Sequence, residues 1–426
     1  MNIPQGYHLT YCTNIHPGET WAEVFESLRT YVLPVKERVS PDATFALGLR
    51  LSDEASRELV QPDQLAEFKA WLTQHQLYVP IINGFPFGSF HGEAVKDEVH
   101  RPDWTTPARL EYTRRLARVL AGLLPDGLDG GISTSPLSYK PWLAGHAQQT
   151  EAVLQASTRH LATLVEELVI LRQQTGRLIH LDIEPEPDGL LEDSTEFISY
   201  YEQYLLPQVS RHLQQQLGLS PESATQAVYE HVQLCYDVCH FALVYEEPAT
   251  VFERLAARNI KVGRVQISAA LKADLPLEIE ERQELTQEFE AFAESTYLHQ
   301  VLVRNQDESI THYADLPEAL PHIMQEQARE WRSHFHVPVF LACYNRVQST
   351  QSEILKVLWA LAAQPITSYL EVETYTWEVL PPDIKQDLVS SIARELEWVQ
   401  QHLPAKAVEP ENAAKPSSGP IKVTLT

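Results

Sequence analysis

The sequence predicts an α/β fold in which parallel strands close into a (β/α)8 barrel. Short apolar segments alternate with amphipathic helical segments along most of the 426 residues, the pattern of successive parallel βαβ units. Several apolar segments end in acidic, histidine or amide side chains, and a parallel barrel gathers such strand ends on one face. An open nucleotide-binding sheet would place a GxGxxG or GxxxxGKS/T motif after its first strand, and neither motif occurs there.

The predicted elements follow one another in strand and helix alternation. Nine strands are predicted for eight barrel positions, so one of the last three is peripheral or replaces an earlier strand. The strands are predicted over residues 8–12, 45–51, 78–83, 128–133, 179–184, 231–237, 262–267, 334–340 and 370–374. Helices are predicted over residues 21–38, 64–75, 107–124, 146–174, 195–217, 248–258 and 278–294.

The chain is expected to form one barrel domain over residues 1–403. A segment near residues 270–332 is predicted as an insertion at the mouth of the barrel, because it exceeds the length of an ordinary connection. Residues 404–426 are rich in Ala, Pro, Ser and charged side chains, a composition that predicts a disordered tail.

The charge of the chain excludes some partners. Asp and Glu number 58 against 33 Lys and Arg, a formal net charge of −25, which repels nucleic acid and anionic membrane surfaces. No apolar run approaches the length of a membrane span, and the first residues do not resemble a signal peptide. We therefore expect a cytoplasmic protein that binds no nucleic acid and does not insert directly into membranes.

The segment IHLDIEPEP (residues 179–187) is the first candidate for chemistry. Side chains alternate between the two faces of a strand, so His180, Asp182 and Glu184 share one face. Glu184 lies nearest the carboxyl end of the strand, where polar residues of a parallel barrel usually serve function. It is predicted to be a metal ligand or a general base, and a solvated loop carboxylate is the alternative.

Two further segments add candidate ligands. Asp237 ends a strand in CYDVCHF and His240 follows three residues later, so both can reach one ion, or Asp237 can bind the ion while His240 orients a substrate. Gln266 in VQIS and His336 in HFHV compete for the next position around the ring. A glutamine carbonyl suits a hard cation, whereas a neutral imidazole suits Mn, Zn or Fe.

LEVETYTW (residues 370–377) places Glu371 and Glu373 on one face of the last predicted strand. Glu373 is nearer the mouth and would face Glu184, and such a pair of carboxyl groups can exchange protons near neutral pH. A structural ion pair made by one of these glutamates is the alternative. Polar and aromatic side chains around the rim are candidates for binding a small polar metabolite. These are Asn14, His16, Asn83, Lys140, Phe85, Phe87, His91, Ser133 and Ser135.

These segments together resemble the xylose isomerase-like TIM barrels, the group of sugar isomerases, epimerases and endonuclease IV. The resemblance rests on IEP with Glu184, YDVCH with Asp237 and His240, VQIS with Gln266, and VETY with Glu373. It implies a divalent metal held by a Glu, an Asp, a His and a final Glu at consecutive strand ends. Gln266 occupies the position of the His, unless His336 supplies the imidazole, so Mn, Mg and Zn all remain candidates for the metal.

More closely, the chain resembles the EboE family of metabolite traffic proteins over about residues 7–400. The segments that carry this resemblance are HLTYCTNIHPGETW, LDIEPEPDG, CYDVCHFA, HFHVPVF and LEVETYTW. It implies a sugar phosphate isomerase/epimerase type of barrel that works with a prenyltransferase-like membrane protein of the same pathway. The resemblance does not supply a reaction.

Three functions follow as expectations. The first is a metal-dependent isomerase or epimerase in which Glu184 and Glu373 move a proton, with metal ligands Glu184, Asp237, His336 and Glu373. The second is a carrier that binds a metabolite for a membrane-associated export pathway without changing it. The third is a metal-dependent hydrolase related to endonuclease IV, which the acidic charge disfavours.

Overall fold

Eight parallel strands at the centre of the protein wrap into a nearly closed barrel. The computed structural model describes residues 1–88, 96–325, 327–378, 380 and 387–405. The barrel strands are β1 (His8–Tyr11), β2 (Phe45–Arg50), β3 (Leu77–Asn83), β4 (Gly130–Thr134), β5 (Ile179–Ile183), β6 (Val232–Asp237), β7 (Val262–Ile267) and β14 (Tyr369–Val372). From β2 to β7 each strand pairs with the next in the chain, and the last strand pairs with both the seventh and the first.

Contacts between β1 and β2 bring the two ends of this sheet together. Cys12 forms a parallel backbone bridge with Gly48. The Thr10 hydroxyl accepts a hydrogen bond from the backbone N–H of Gly48 (2.9 Å) and donates one to the carbonyl oxygen of Ala46 (2.7 Å). The predicted (β/α)8 barrel is therefore confirmed.

A second sheet is inserted between the seventh and eighth barrel strands. Its six strands pair antiparallel in the order β10-β9-β11-β8-β13-β12. They are β8 (Ala269–Asp274), β9 (Val301–Asn305), β10 (Ile310–Tyr313), β11 (Ala328–Val337), β12 (Cys343–Tyr344) and β13 (Val347–Ser349). The insertion extends beyond the predicted residues 270–332, because β13 returns to pair with β8.

The competition among the last three predicted strands is resolved by this arrangement. Residues 262–267 form β7, and residues 370–374 contain the end of β14. The predicted strand over residues 334–340 overlaps β11 of the inserted sheet and is the peripheral one. The predicted tail lies outside the described residues from residue 406 onward.

Helices cover the outside of the barrel, and the strands β2, β5, β6 and β7 are consequently buried along their whole length. The helices are α1 (Trp21–Ser27), α2 (Leu33–Val39), α3 (Asp53–Leu59), α4 (Pro62–Gln74), α5 (Pro107–Leu123), α6 (Ala147–Thr175), α7 (Ser194–Tyr200), α8 (Leu206–Leu217), α9 (Pro221–His231), α10 (Val238–Leu243), α11 (Pro248–Ala256), α12 (Ile279–Glu290), α13 (Leu316–Ala319), α14 (Gln351–Ala363) and α15 (Leu388–His402). In the described ranges, none of them combines the length and the apolarity needed to cross a bilayer.

Side chains at the helix starts explain several of these boundaries. Thr20 and Glu23 form a reciprocal capping box at α1, and Ser52, Asp193 and Asp387 accept backbone hydrogen bonds at α3, α7 and α15. Widened π turns over Leu28–Val32 and Tyr201–Leu205 interrupt the helices predicted over residues 21–38 and 195–217. Their predicted extents otherwise agree with α1–α2 and α7–α8.

A buried ion cluster fills the lower interior of the barrel. Arg264 on β7 donates hydrogen bonds to Asp182 (3.2 Å), to Glu371 (3.1 Å) and to the carbonyl oxygen of Ile82 (3.1 Å). The side chains of Arg264, Asp182 and Glu371 are all 0% exposed, and His180 bonds to Asp182 at 2.5 Å. Glu371 therefore makes the structural ion pair that was one of the two alternatives for the last strand.

Glycines make room for this cluster. A Cβ atom at Gly263 would lie 1.9 Å from an oxygen of Asp182, and one at Gly48 would lie 1.9 Å from an oxygen of Glu371. Any larger residue at these two interior positions would displace the carboxylates from Arg264.

Glu395 on α15 is a buried carboxyl group that makes the stability depend on pH. Its Oε1 accepts hydrogen bonds from the Thr374 hydroxyl (2.7 Å) and the Val339 N–H (3.1 Å), and burial raises its pKa to about 7. Because this pKa exceeds the ordinary value of 4.5, the contribution of Glu395 is fully present below pH ~4.5 and is lost as the pH rises to ~7. The loss is up to about 3 kcal/mol.

We therefore expect Glu395→Gln to become more stable relative to the unmodified protein as the pH rises from ~5 to ~8. The midpoint of urea unfolding of both proteins, measured at several pH values, gives the difference. Glu397→Gln, an exposed change on the same helix, is the matched control. A constant difference across this range would contradict the assignment.

Candidate metal centre

A cavity of about 70 Å³ opens at the carboxyl end of the barrel, beneath the inserted sheet. Its wall combines residues that follow the barrel strands with residues from β11 and from the segment before β9. Seven of the residues singled out in the sequence line it, namely Asn14, Asn83, Phe85, Glu184, His240, His336 and Glu373. The cavity is thus a meeting point of strand ends that lie far apart in the chain.

Three carboxylates converge beside this cavity. Ligand oxygens of Glu184, Asp237 and Glu373 all lie within 4.8 Å of one another, and the three side chains are buried. Glu184 follows β5 directly, Asp237 is the last residue of β6, and Glu373 follows β14. Parallel strands end at the same edge of the barrel, which is why these three positions meet.

Hydrogen bonds from neighbouring groups orient the carboxylates of Asp237 and Glu373. Asp237 and Glu184 each keep one oxygen without a hydrogen-bond partner. Asp237 Oδ1 accepts from the Ser268 hydroxyl (2.7 Å) and the His240 N–H (3.0 Å), while its Oδ2 has no hydrogen-bond partner. Glu373 Oε1 accepts from the amides of Asn14 (2.8 Å) and Asn83 (3.1 Å). Glu184 Oε2 also has no partner. Such oriented, incompletely bonded carboxylates suit a bound cation.

The imidazoles of His336 and His240 face the same cavity with one orientation. His336 places Nδ1 2.8 Å from the carbonyl oxygen of Glu373, and His240 places Nδ1 3.1 Å from that of Pro185. Since a carbonyl oxygen only accepts, each Nδ1 must carry the hydrogen, and each Nε2 presents a lone pair. Nε2 of His336 is buried without a partner, and His336 forms a compact group with Asp237 and His240.

The pKa values show that negative charge is unfavourable in this cavity without a counter-ion. Burial, reinforced by the neighbouring carboxylates, raises the pKa of Glu184, Glu186 and Glu373 well above the ordinary range. Burial lowers the pKa of His336 to about 4 and also lowers that of His240. The imidazoles are therefore neutral near pH 7 and do not balance the carboxylates.

The residues present fit a divalent cation. Among the described residues that line the cavity, Lys96 is the only lysine or arginine, and its ammonium pairs with Asp315 at 2.6 Å. Buried carboxylates without a counter-charge are strongly disfavoured, and a bound metal ion supplies that charge. Glu184, Asp237 and Glu373 offer oxygen, and His336 adds nitrogen, a donor set suited to Mn or Zn.

The structure places three other predicted binding residues away from the cavity wall. Gln266 lies below it in β7, where its Oε1 accepts a hydrogen bond from the thiol of Cys235. His16 bonds to the hydroxyl of Tyr11 at 2.9 Å, and Lys140 pairs with Glu192 at 2.5 Å. Their roles in substrate binding stay predictions. His91, also named among the rim candidates, lies outside the described residues.

Sequence reasoning overlooked Glu186, His334 and His100, all of which line the cavity. His334 and His336 are two residues apart in β11, and this spacing on a strand puts both side chains on one face. Glu186 stands two residues after Glu184 in the segment already selected for its alternation. The alternation of side chains along a strand could therefore have identified Glu186 and His334, but not His100.

No family model matches the sequence, and no curated protein matches it. A D-tagatose 3-epimerase-like protein superposes with a TM-score of 0.48 at 10% identity, covering 93% of this chain and 97% of that one. The solved neighbours are xylose isomerase-like barrels.

Two other solved neighbours have comparable overlap. The IOLI protein, solved with a bound zinc atom, has a TM-score of 0.44 at 11% identity and covers 92% of this chain and 96% of that one. A xylose isomerase domain protein from Planctomyces limnophilus has a TM-score of 0.41 at 12% identity and covers 84% of this chain and 87% of that one. At these identities the similarity concerns the fold.

Proposed function

We propose that this protein is a metal-dependent isomerase or epimerase that acts on a small polar metabolite. The observation that supports the proposal is the convergence of Glu184, Asp237 and Glu373 beside the cavity, with Asp237 also close to His336, whose buried Nε2 has no hydrogen-bond partner. A divalent cation bound there would polarise a carbonyl or hydroxyl oxygen of the substrate.

Glu184 and Glu373 are the groups placed to move the proton. Asn14 and Asn83 donate to one oxygen of Glu373 and fix the direction of its carboxylate. Glu184 Oε2 lacks a hydrogen-bond partner and can accept a proton from a substrate carbon or hydroxyl. Both carboxylates are at most 5% exposed, so bulk water does not compete for the transferred proton.

We expect Glu184→Gln and Glu373→Gln each to lower turnover by ~10²–10⁴-fold, because the amide cannot exchange a proton. Turnover is compared at saturating metal, so that weaker binding of the ion is not counted as loss of proton transfer. The metal-loaded protein is offered a panel of aldoses, ketoses and their phosphates in D₂O. Proton NMR then follows both the new isomer and deuterium incorporation beside the carbonyl. Glu397→Gln serves as the surface control, and metal content is measured for every variant.

No isomer and no deuterium exchange with any member of the panel would overturn this proposal. The resemblance to EboE proteins supports a different role, a carrier that holds a metabolite precursor for a pathway with a prenyltransferase-like membrane protein. A carrier would bind a metabolite in calorimetry without converting it, and its binding would be unaffected by chelation. The formal charge of −25 argues against a hydrolase that acts on nucleic acid.

A further inference from the structure

Two histidines in the cavity face each other through nitrogens that both carry lone pairs. Nε2 of His240 and Nε2 of His334 are 3.2 Å apart, and both side chains are buried. His240 lies on α10 after the sixth barrel strand, whereas His334 lies on β11 of the inserted sheet. The contact therefore joins the barrel to the insertion.

The hydrogen-bond partners of the other ring nitrogens fix this arrangement. His240 donates its Nδ1 hydrogen to the carbonyl oxygen of Pro185. His334 donates its Nδ1 hydrogen to Gln300 Oε1 (2.8 Å), and the Gln300 amide nitrogen donates in turn to the carbonyl oxygen of Pro187 (3.2 Å). In the neutral form, both Nε2 atoms are therefore acceptors, and two acceptors cannot bond to each other.

The separation of the two nitrogens matches that of two ligands on one metal ion. Two Zn–N bonds of ~2.0–2.1 Å at the tetrahedral angle place their nitrogens about 3.3 Å apart. The observed 3.2 Å agrees with this value. Histidine that donates one ring hydrogen to a carbonyl and presents the other nitrogen is also the usual state of a metal-bound imidazole.

Glu186 completes the group. Its ligand oxygen lies within 4.8 Å of the ligand nitrogens of both His240 and His334. The side chain is 7% exposed, and its Oε1 makes no hydrogen bond, with His100 Nε2 3.4 Å away. Glu186, His240 and His334 all line the cavity, so an ion held by them would keep a side open to a ligand.

We propose that Glu186, His240 and His334 form a second divalent-metal site, selective for zinc, next to the carboxylate site of Glu184, Asp237 and Glu373. Two imidazoles and one carboxylate favour Zn over Mg or Mn, whereas three carboxylates accept the harder ions. Three protein ligands with an open position are the pattern of catalytic rather than structural zinc. The site shares the cavity of the proposed isomerase but does not depend on that reaction.

The test is the number of zinc ions bound by the full chain. Metal-free protein is titrated with Zn²⁺ and, after removal of free ion, its zinc is measured by mass spectrometry. We expect about two equivalents in the unmodified protein and about one in His334→Ala and in Glu186→Gln.

Matched variants separate loss of the ligand from loss of the fold. His231→Ala removes another buried imidazole, whose Nδ1 bonds to the carbonyl oxygen of Ile179 (2.6 Å) outside the cavity, and should retain both equivalents. His334→Gln preserves most of the side-chain volume if the alanine variant fails to fold. Circular dichroism checks the fold of each variant.

One zinc equivalent in the unmodified protein, unchanged in His334→Gln and Glu186→Gln, would overturn the proposal and assign the histidine contact to a shared proton. Two equivalents that persist in both variants would also overturn it. The readout needs no substrate, so failure to find an isomerase activity leaves this result intact. Conversely, loss of the second site would not by itself remove the carboxylate site.

Discussion

Replacing Arg264 by methionine is expected to lower the free energy of unfolding by about 3–5 kcal/mol. The guanidinium is the partner of Asp182 and Glu371, and all three side chains are fully buried. Methionine fills similar space but leaves two carboxylates without their counter-charge in the barrel interior. Removing one partner of a buried ionic group is far more damaging than replacing the whole group.

Chemical denaturation of the metal-free protein measures this effect. Arg29→Met is the matched control, because Arg29 is 45% exposed, pairs with surface glutamates at 3.6 Å and 4.0 Å and lies over the Phe25 ring at 3.8 Å. Its expected effect is below about 1 kcal/mol. The double variant Arg264→Met with Glu371→Gln should regain part of the loss. A single Arg264→Met variant as stable as the control would show that the cluster is not an ionic network.

Metal binding is expected to stabilise the protein by about 4 kcal/mol when the free ion exceeds its dissociation constant ~1,000-fold. The reason is electrostatic, since the ion compensates carboxylates that are buried together around the cavity. Chelation should remove this gain. Thermal unfolding with and without Zn²⁺ or Mn²⁺ measures it.

Asp237→Asn is the sharpest variant for this prediction. Its amide oxygen can still accept the hydrogen bonds from Ser268 and the His240 N–H, and asparagine caps a helix as well as aspartate does. Burial opposes the charge of Asp237, but the neighbouring imidazoles and the hydrogen bonds from Ser268 and the His240 N–H hold its pKa below the ordinary value, so without metal the variant should be no more stable than the unmodified protein. With Mn²⁺, which the site of Glu186, His240 and His334 disfavours, the variant should lose most of the gain. An equal gain in both proteins would place the ion elsewhere.

The barrel could be predicted because each strand has its own local signature. The fifth strand, for example, is an alternating segment with carboxylates at its end, and β5 was found where the alternation begins. The inserted sheet could not be predicted in the same way. Its strands pair antiparallel across long separations, as Ser349 does with Leu271, and nothing local in the sequence specifies such partners.

The residues of the candidate site likewise divide into those that local sequence predicts and those that it does not. Glu184, Asp237 and Glu373 follow from their positions at parallel strand ends, which always meet. His336 reaches the cavity from a strand outside the barrel, where the pairing of β11 with β8 shifts register between Ser333 and Val337. Gln266 was predicted to bind at the cavity, but its side chain lies deeper in the barrel. There it accepts a hydrogen bond from the thiol of Cys235.

Glutamate and proline alternate over residues 184–187, and this segment affects how the inserted sheet can move relative to the barrel. Its glutamates face the cavity, while the carbonyl oxygens of Pro185 and Pro187 orient His240 and, through Gln300, His334. An ion bound between these groups would hold the insertion against the barrel, because moving the insertion away would break the bonds between the ion and its ligands on the barrel. The free energy of that local opening then includes the binding free energy of the ion. The concentration of free metal ion would therefore change the population of the state in which the insertion is separated from the barrel.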